Sequence, residues 1–177
     1  MLDDFRIGHG FDVHGFAKER IEEKPLRLAG ITLNENYSLV AHSDGDVILH
    51  AICDAILGAC AEGDIGEHFP DTDQEFSGID SAILLSKVLE VANAKKLKIV
   101  NIDITLLAEV PKISPYRNKM IENLCGLLGL NSNYVNLKAT TTEHLGYIGR
   151  EEGIACHCVV LMSSNAPFSI ASVRDST

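Results

Sequence analysis

The segment from Ser43 to Cys60 constrains the fold more than any other part of the chain. Its apolar residues recur at helical spacing, and they predict a helix that is apolar around most of its circumference. Ser43 is expected to be the N-cap, with Asp46 as a capping-box acid. Two stripes of apolar residues carry the prediction. The first is Val47, Ile48, Ala51, Ile52, Ala55 and Ile56, and the second is Leu49, Cys53, Leu57 and Cys60. A helix of this kind must be enclosed by other elements, so the chain needs a layered fold.

Three ionisable residues interrupt this helix along a single line, since Asp46, His50 and Asp54 recur every four residues. Buried charges are costly unless they are paired or bound to metal, so this face must meet a metal ion, a partner charge or a polar cavity. The alternative is a hydrogen-bonded core histidine between capping acids. Asp46 or Asp54 could orient the His50 ring, although solvation of either acid at the surface is an equal alternative.

Asp12 and His14 offer partners for His50. They lie two residues apart in a predicted strand, so both side chains leave the same face, with α-carbons about 6.6 Å apart. Alone, such a pair is more often the end of a strand than a metal site. One carboxylate and two imidazoles suit Zn²⁺ in a tetrahedral site that leaves one position open for substrate or water.

The rest of the pattern predicts an α+β fold, a mixed β-sheet with helices packed on one face. Strands are expected over 5–13, 26–32, 99–107, 134–141 and 154–162, with the first two forming a hairpin. Helices are expected over 43–60, 80–96 and 111–128, the last opened by Pro111 and stopped by Gly129. We expect one domain over 1–163 and a poorly ordered tail over 164–177.

Charge and hydropathy exclude several classes of protein. A formal net charge of −10 argues against nucleic acid and anionic membranes as partners. No apolar run approaches the length of a membrane-spanning helix, and the N-terminus lacks the features of a signal peptide. The five cysteines include no C-x-x-C pair and suit reduced thiols, so a cytoplasmic protein is expected. Cys156 and Cys158, which flank His157, are more often small buried side chains than metal ligands.

A second polar cluster, Lys138 to Glu143, ends a predicted strand. Its three threonine hydroxyls can bind phosphate oxygens, and its carboxylate can bind a hard cation such as Mg²⁺ or Mn²⁺, although threonine also simply favours strands. The acid-rich loop from Gly63 to Asp73 is either a binding loop or a solvated surface loop.

Five motifs follow one another along the chain. They are Gly8-His-Gly-Phe-Asp-Val-His14, Ala41-His-Ser-Asp-Gly-Asp-Val47 with His50 following, Gly63-Asp-Ile-Gly66, Phe69-Pro-Asp-Thr-Asp73 and Lys138-Ala-Thr-Thr-Thr-Glu143. As a set, these motifs closely resemble the 2-C-methyl-D-erythritol 2,4-cyclodiphosphate synthase family of the non-mevalonate isoprenoid pathway. The resemblance runs from about Arg6 to Met162.

The resemblance implies a metal-dependent phosphorus–oxygen lyase. Its expected reaction is the cyclisation of 4-diphosphocytidyl-2-C-methyl-D-erythritol 2-phosphate, a small cytidyl diphosphate substrate, with release of CMP. It implies a homotrimer with sheets around the central axis and active sites between neighbouring subunits. It also implies Zn²⁺ held by Asp12, His14 and His50, and a second divalent cation, Mg²⁺ or Mn²⁺, bound by Glu143.

The resemblance further implies which residues bind the substrate. His42 and Ser43 are expected to contact the diphosphate, and Asp64 and Gly66 to hold the ribose. The other residues implied are Ile65, Phe69, Asp71 and Asp73, the cytidine-pocket residues Ala108, Pro111, Lys112, Ile113 and Ser114, and the phosphate contacts Thr140, Thr141 and Thr142. Tyr147 and Arg150 match positions near the trimer axis, where some members hold an isoprenoid diphosphate, but Tyr147-Ile-Gly-Arg-Glu151 departs from the more usual Phe-Thr-Gly-Arg-Gly.

His42 and Thr141 are our candidates for the catalytic residues, because the reaction needs charge stabilised on phosphate oxygens and no nucleophilic side chain. Two alternatives stay open at this point. One is a zinc-dependent phosphoester hydrolase, in which the open metal position activates water. The other is a non-catalytic trimeric ligand-binding protein with a closed, four-ligand structural metal site.

Overall fold

The computed structural model describes residues 5–70 and 78–164, so the predicted site residues Asp71 and Asp73 and the tail beyond Ser164 lie outside the described residues. The strands are β1 (Phe5–Gly15), β2 (Arg27–Leu28), β3 (Ile31–Thr32), β4 (Lys98–Leu107), β5 (Val135–Thr140) and β6 (Gly153–Ser163). The helices are α1 (Val47–Cys60), α2 (Ile65–His68), α3 (Ser81–Ala94), α4 (Arg117–Leu128) and α5 (Gly146–Gly149). The α+β class is confirmed.

A four-stranded mixed sheet, in the order β1-β6-β4-β5, forms the centre of the fold. β6 runs antiparallel to both β1 and β4, whereas β4 and β5 are parallel. One face of the sheet is covered by helices, with α1 packed on β1 and β6, and α3 packed on α1. Every apolar residue of α1 is buried, as its two stripes predicted.

The uncovered face of the sheet is apolar at its β1 and β6 edge. Side chains alternate across a strand, and the residues that point away from the helices remain exposed in this chain. They include Phe5, Ile7, Phe11, Val13 and Val159, each with at least 41% of its surface accessible. His9 and His157 lie on the same face, where their rings contact each other and that of His157 also contacts Phe11. Exposed apolar patches with a few polar residues are typical of interaction faces.

The predicted hairpin between the first two strands is wrong. β1 pairs with β6 along its whole length, from Phe5 opposite Ser163 to Gly15 opposite Gly153. Residues 26–32 instead form their own small hairpin, because Ala29 and Gly30 both adopt positive φ and reverse the chain between β2 and β3. The pairing with β6 provides hydrogen-bond partners along all eleven residues of β1, which the two-residue strand β2 could not do.

Two predicted helix starts also need correction. Asp46, not Ser43, caps α1, because its carboxylate accepts hydrogen bonds from the N–H groups of Ile48 and Leu49. Pro111 does not open α4, which begins at Arg117 after a loop with a cis Val110–Pro111 peptide. Gly129 does end that helix, in the left-handed conformation.

The short helices α2 and α5 were not predicted, because four residues are too few to show helical periodicity. Within the described ranges, none of the helices has both the length and the apolar character needed to cross a bilayer.

Glycines bring α1 unusually close to β1. A Cβ at Gly8 would lie 1.7 Å from the carbonyl oxygen of Ala55, and one at Gly10 would lie 1.9 Å from that of Ala51. No other residue type fits at either position while the helix stays in place. The close approach sets His50 on α1 beside Asp12 and His14 on β1.

Gly10→Ala should therefore lower the free energy of unfolding by at least ~1–3 kcal/mol, since the helix backbone has to move away from the strand. Urea unfolding followed by circular dichroism measures the change. Gly126→Ala is the matched control, because Gly126 lies within α4 with no atom within 4 Å of an added Cβ. It should stabilise the chain by ~0.5–1 kcal/mol. Equal effects of the two substitutions would contradict the packing argument.

Candidate metal centre and adjoining pocket

Asp12, His14 and His50 form a cluster that could hold a metal ion. Asp12 Oδ2 lies 3.0 Å from His14 Nε2 and 2.9 Å from His50 Nδ1, and the two ring nitrogens lie 3.1 Å apart. A tetrahedral zinc site with bonds of ~2.0–2.1 Å separates its ligand atoms by about 3.3–3.4 Å. The three donor atoms, which we call the ligand triangle, are therefore close to the spacing that one ion requires.

Electrostatics explains why such a triangle needs a cation at its centre. A carboxylate oxygen and two imidazole nitrogens facing one another repel unless a proton or a metal ion lies between them. Burial alone would raise the pKa of Asp12, but hydrogen bonding with His14 and His50 outweighs it and holds that pKa well below its usual value. Burial lowers the pKa of His50, and the Asp12 carboxylate outweighs this and raises it.

The far side of the His50 ring is anchored by two hydroxyl groups. Its Nε2 lies 2.9 Å from Ser81 Oγ and 3.1 Å from Ser43 Oγ, and both serines are buried. Ser81 Oγ in turn donates a hydrogen bond of 2.5 Å to Asp44 Oδ1. The His50 ring is therefore contacted at both nitrogens, at Nε2 by the two serines and at Nδ1 by Asp12 of the ligand triangle.

Neither acid that the sequence placed on the line of His50 orients its ring. Asp46 is fully buried, and besides capping α1 it accepts hydrogen bonds from the N–H groups of Ala29 and Gly30. Burial raises the pKa of Asp46, and these backbone hydrogen bonds oppose the rise. Asp54 accepts from the Ile65 N–H at 2.8 Å and so fixes the start of α2. Both acids therefore hold backbone in place.

The residues that do orient His50 were missed. Asp44 lies within a motif but was not singled out, and Ser81 lies 31 residues from His50 at the start of α3. The only available signal was a serine directly after a helix-capping aspartate, Asp80, which is too common to point to a site.

A cavity of about 370 Å³ adjoins the ligand triangle. It gathers most of the predicted residues from the first half of the chain, namely Asp12, His14, His42, Ser43, His50, Ile65, Gly66 and Phe69. Val40, Ala41, Ile79 and Leu84 complete its lining and were not predicted. Asp64 does not line the cavity, and its carboxylate caps α2 by accepting from the Glu67 N–H.

The loop that carries His42 is fastened to the chain before α3. The His42 carbonyl oxygen accepts from the Gly78 N–H at 2.9 Å, and the Asp44 N–H donates to the Ile79 carbonyl oxygen at 3.2 Å. His42 itself is exposed at the cavity. Its imidazole is therefore free to meet a ligand while its backbone is fixed.

The second predicted cluster lies at a different edge of the sheet. Thr140 ends β5 and Ala108 follows β4, two parallel strands, and the Ala108 N–H donates to the Thr140 carbonyl oxygen at 3.0 Å. Glu109 joins the two segments, because its Oε1 accepts from the N–H groups of Thr142 and His144. Thr141 Oγ1 donates to Glu143 Oε1 at 3.2 Å.

This cluster is not part of the cavity beside the ligand triangle. Of the predicted residues, Ala108, Pro111, Lys112, Ile113, Ser114, Thr140, Thr141, Thr142, Glu143, Tyr147 and Arg150 are all absent from its lining. Pro111 and Ile113 are buried, whereas Thr141 and Glu143 are exposed. One chain therefore presents two separate groups of predicted site residues.

The cysteines have no part in either group. All five are free thiols, and Cys156 and Cys158 are completely buried in the sheet. Burial raises the pKa of both thiols. They are small core side chains, as expected.

Comparison with known proteins gives consistent similarities over most of the chain. A family model described as the YgbB family matches residues 5–163. The 2-C-methyl-D-erythritol 2,4-cyclodiphosphate synthase of Idiomarina loihiensis is 52% identical over 159 residues, covering 90% of this chain and 98% of the relative. That of Shewanella baltica is 53% identical over 158 residues, covering 89% and 96%. A solved structure described as an IspF (Plasmodium falciparum) CDP complex is 38% identical with a TM-score of 0.78, covering 92% of this chain and 98% of that one.

The ligand triangle predicts that the chain binds one Co²⁺ or Zn²⁺ through three side chains. Asp12→Asn should weaken binding by at least about tenfold, because an amide oxygen is a poor ligand for these ions. Titration with Co²⁺, followed by its visible absorption, measures this. His144→Gln is the control, since His144 has an 83% exposed side chain away from the triangle. Equal losses in the two variants would contradict the assignment.

Proposed function

The chain belongs to the YgbB family, and on that premise we propose that it catalyses the cyclisation of 4-diphosphocytidyl-2-C-methyl-D-erythritol 2-phosphate to 2-C-methyl-D-erythritol 2,4-cyclodiphosphate. The reaction would take place in the cavity beside the ligand triangle. The protein is a lyase of isoprenoid biosynthesis. The observation that carries the proposal is the ligand triangle opening onto a cavity lined by His42, Ser43 and Gly66. The Plasmodium falciparum relative is described as a CDP complex, which supports a cytidyl diphosphate substrate here.

The reaction joins two parts of one substrate. An oxygen of the 2-phosphate forms a bond to the β-phosphorus, and the bond from that phosphorus to the oxygen bridging it to the α-phosphorus breaks. CMP leaves with the bridging oxygen, and an eight-membered ring remains. No water and no enzyme nucleophile is consumed, so the protein has to fold the substrate into an in-line geometry and offset charge on the phosphate oxygens.

A strongly acidic chain needs local positive charge to bind such a substrate. The donor set of the ligand triangle fits Zn²⁺, which would supply Lewis-acid stabilisation to a phosphate oxygen at its open position. Glu143 offers a carboxylate for a second ion, Mg²⁺ or Mn²⁺, beside the hydroxyl of Thr141. Each ion would add positive charge at the place where the phosphates must lie, in a chain whose formal net charge is −10.

His42 and Thr141 are the proposed catalytic residues. His42 is exposed at the cavity on a loop whose backbone is fixed, so its ring can donate a hydrogen bond to a phosphate oxygen without moving the chain. Thr141 follows β5, and its hydroxyl, which here donates to Glu143, could turn to a phosphate oxygen once a cation occupied that carboxylate. Ser43 is turned towards His50, and its proposed diphosphate contact requires its hydroxyl to serve both partners.

Two groups of site residues on one chain support a site shared between copies. We propose a homotrimer with the sheets around the central axis, in which the triangle of one subunit meets the Thr141–Glu143 group of the next. The exposed apolar face of β1 and β6, with Ile7 73% accessible, supports an interface there. The cytidine would lie along Ala108 to Ser114, beside the second group.

Further features of the proposal follow the family resemblance. Asp64, Ile65 and Phe69 belong to the segment around α2 that would contact the substrate, although only the latter two line the cavity in one chain. Tyr147 and Arg150 would lie near the trimer axis, where an isoprenoid diphosphate is a candidate ligand. A cytoplasmic location is supported by the five free cysteines.

The two alternatives have no observation in their favour. The relatives are named as cyclodiphosphate synthases, not hydrolases. Among the described residues, the ligand triangle has three protein ligands and no fourth, so a closed structural metal site is not supported.

Release of CMP from the cytidyl substrate tests the function directly. His42→Ala should lower kcat by about 10²–10³-fold while Zn²⁺ stays bound, because one donor to the reacting phosphate is lost. His68→Ala is the matched control, since His68 does not line the cavity. A product that incorporates ¹⁸O from labelled water would indicate hydrolysis and overturn the proposal.

Mixed assemblies test whether the site is shared. The His42→Ala and Glu143→Gln variants should each be nearly inactive alone. A refolded 1:1 mixture should regain about a quarter of wild-type activity, because at a quarter of the interfaces one subunit supplies an intact His42 and its neighbour an intact Glu143. Native mass spectrometry confirms that mixed trimers form. Mixed trimers without regained activity would show that each chain carries its own complete site.

A further inference from the structure

The hydrogen bonds behind His50 have a fixed direction. A serine hydroxyl carries one proton, and an ionised carboxylate can only accept. Ser81 Oγ lies 2.5 Å from Asp44 Oδ1 and donates its proton there. Only lone pairs of Ser81 Oγ are then left for His50 Nε2, at 2.9 Å, so this ring nitrogen must carry a hydrogen and donate it.

Asp44 is itself held in place as an acceptor. Its carboxylate accepts from the N–H groups of Ser81 and Asp46, each at 3.2 Å. Arg27 Nε lies 3.5 Å from Asp44 Oδ2, and the same guanidinium bridges to Asp80 at 3.0 Å. Among the residues that the structure describes, the buried Arg27 Nε has no hydrogen-bond partner, so the guanidinium charge acts on Asp44 across this gap. Both oxygens of the Asp44 carboxylate are thus used as acceptors, and the carboxylate is held pointing at Ser81.

Ser43 cannot impose a direction in the same way. Its hydroxyl lies 3.1 Å from His50 Nε2 and accepts from the Gly45 N–H, but no carboxylate accepts its proton in the contacts that the structure describes. It can therefore donate to Nε2 or accept from it. Both serine hydroxyls lie within hydrogen-bond distance of Nε2, but only the hydroxyl of Ser81 has a fixed direction of donation.

We infer that Asp44 and Ser81 are positioning residues that hold His50 as the Nε2–H tautomer, so that its Nδ1 lone pair faces Asp12 and His14. This inference rests on the proposed metal site and adds what orients one of its ligands. A neutral histidine otherwise divides between two tautomers, and only the one with a bare Nδ1 can bind an ion in the ligand triangle. Partners of this kind typically contribute 10–100-fold to metal affinity.

The test compares three serine variants of the full chain. Ser81→Ala should weaken Zn²⁺ binding by about 10–100-fold, measured by competition with a chromogenic chelator, and Ser81→Thr, which keeps the hydroxyl, should restore it. Ser43→Ala should have a smaller effect. Ser38→Ala is the control, because Ser38 is a buried serine bonded to the Ile21 backbone and does not line the cavity. Equal affinities for Ser81→Ala and Ser38→Ala would overturn the inference.

A second measurement on metal-free protein separates this inference from the proposed function. The ¹⁵N chemical shifts of the His50 ring, at an alkaline pH where the ring is neutral, report which nitrogen carries the proton. Asp12 Oδ2 lies 2.9 Å from Nδ1 and favours a proton there when no ion is bound, so the comparison is between variants. A larger Nε2–H fraction in the wild type than in Ser81→Ala supports the inference whether or not zinc binds, and equal fractions overturn it. Wild-type zinc affinity no higher than that of Asp12→Asn would instead count against the metal site.

Discussion

The contact between α1 and β1 is the constraint on which the site depends. Gly8 and Gly10 let the helix backbone approach the strand directly, with no side chain between them. Because both elements are held at this distance, an aspartate and a histidine on β1 meet a histidine on α1 with all three donor atoms within 3.1 Å of one another. A side chain at either glycine would move one ligand by more than a metal–ligand bond tolerates.

The buried acid at the start of α1 has a structural role of its own. Asp46 places a carboxyl group in the core, where four backbone N–H groups point at it, two from the helix and two from the small hairpin at Ala29 and Gly30. It therefore ties that hairpin to the helix that bears His50. Arg27, on the same hairpin, lies beside Asp44, which accepts a hydrogen bond from Ser81. Ser81 in turn contacts the His50 ring. A two-strand hairpin outside the four-stranded sheet is thus linked to the back of the His50 ring through these contacts.

Local patterns in the sequence were sufficient for the three long helices, apart from where two of them begin, for the alternating strands and for the ligand triangle. His50 stood out because it was the histidine on an otherwise buried helix, and Asp12 and His14 because period-two spacing put them on one face. The β1–β6 pairing was missed because it joins residues 138 to 158 positions apart, and no local signal encodes such a register. Ser81 was missed for the same reason, since a serine after a capping aspartate is unremarkable until the fold places it against a ring nitrogen.

The separation of the two residue groups has a cause in the topology of the sheet. The ligand triangle forms where β1, an edge strand, is covered by α1, whereas the threonine-rich turn follows β5 at the opposite edge. Two strands lie between them, which places about three strand spacings of ~4.8 Å between the two edges. In one chain the threonine-rich turn does not line the cavity beside the ligand triangle. In the proposed trimer, a neighbouring copy packed on the exposed β1–β6 face would bring its own second group to that cavity from outside.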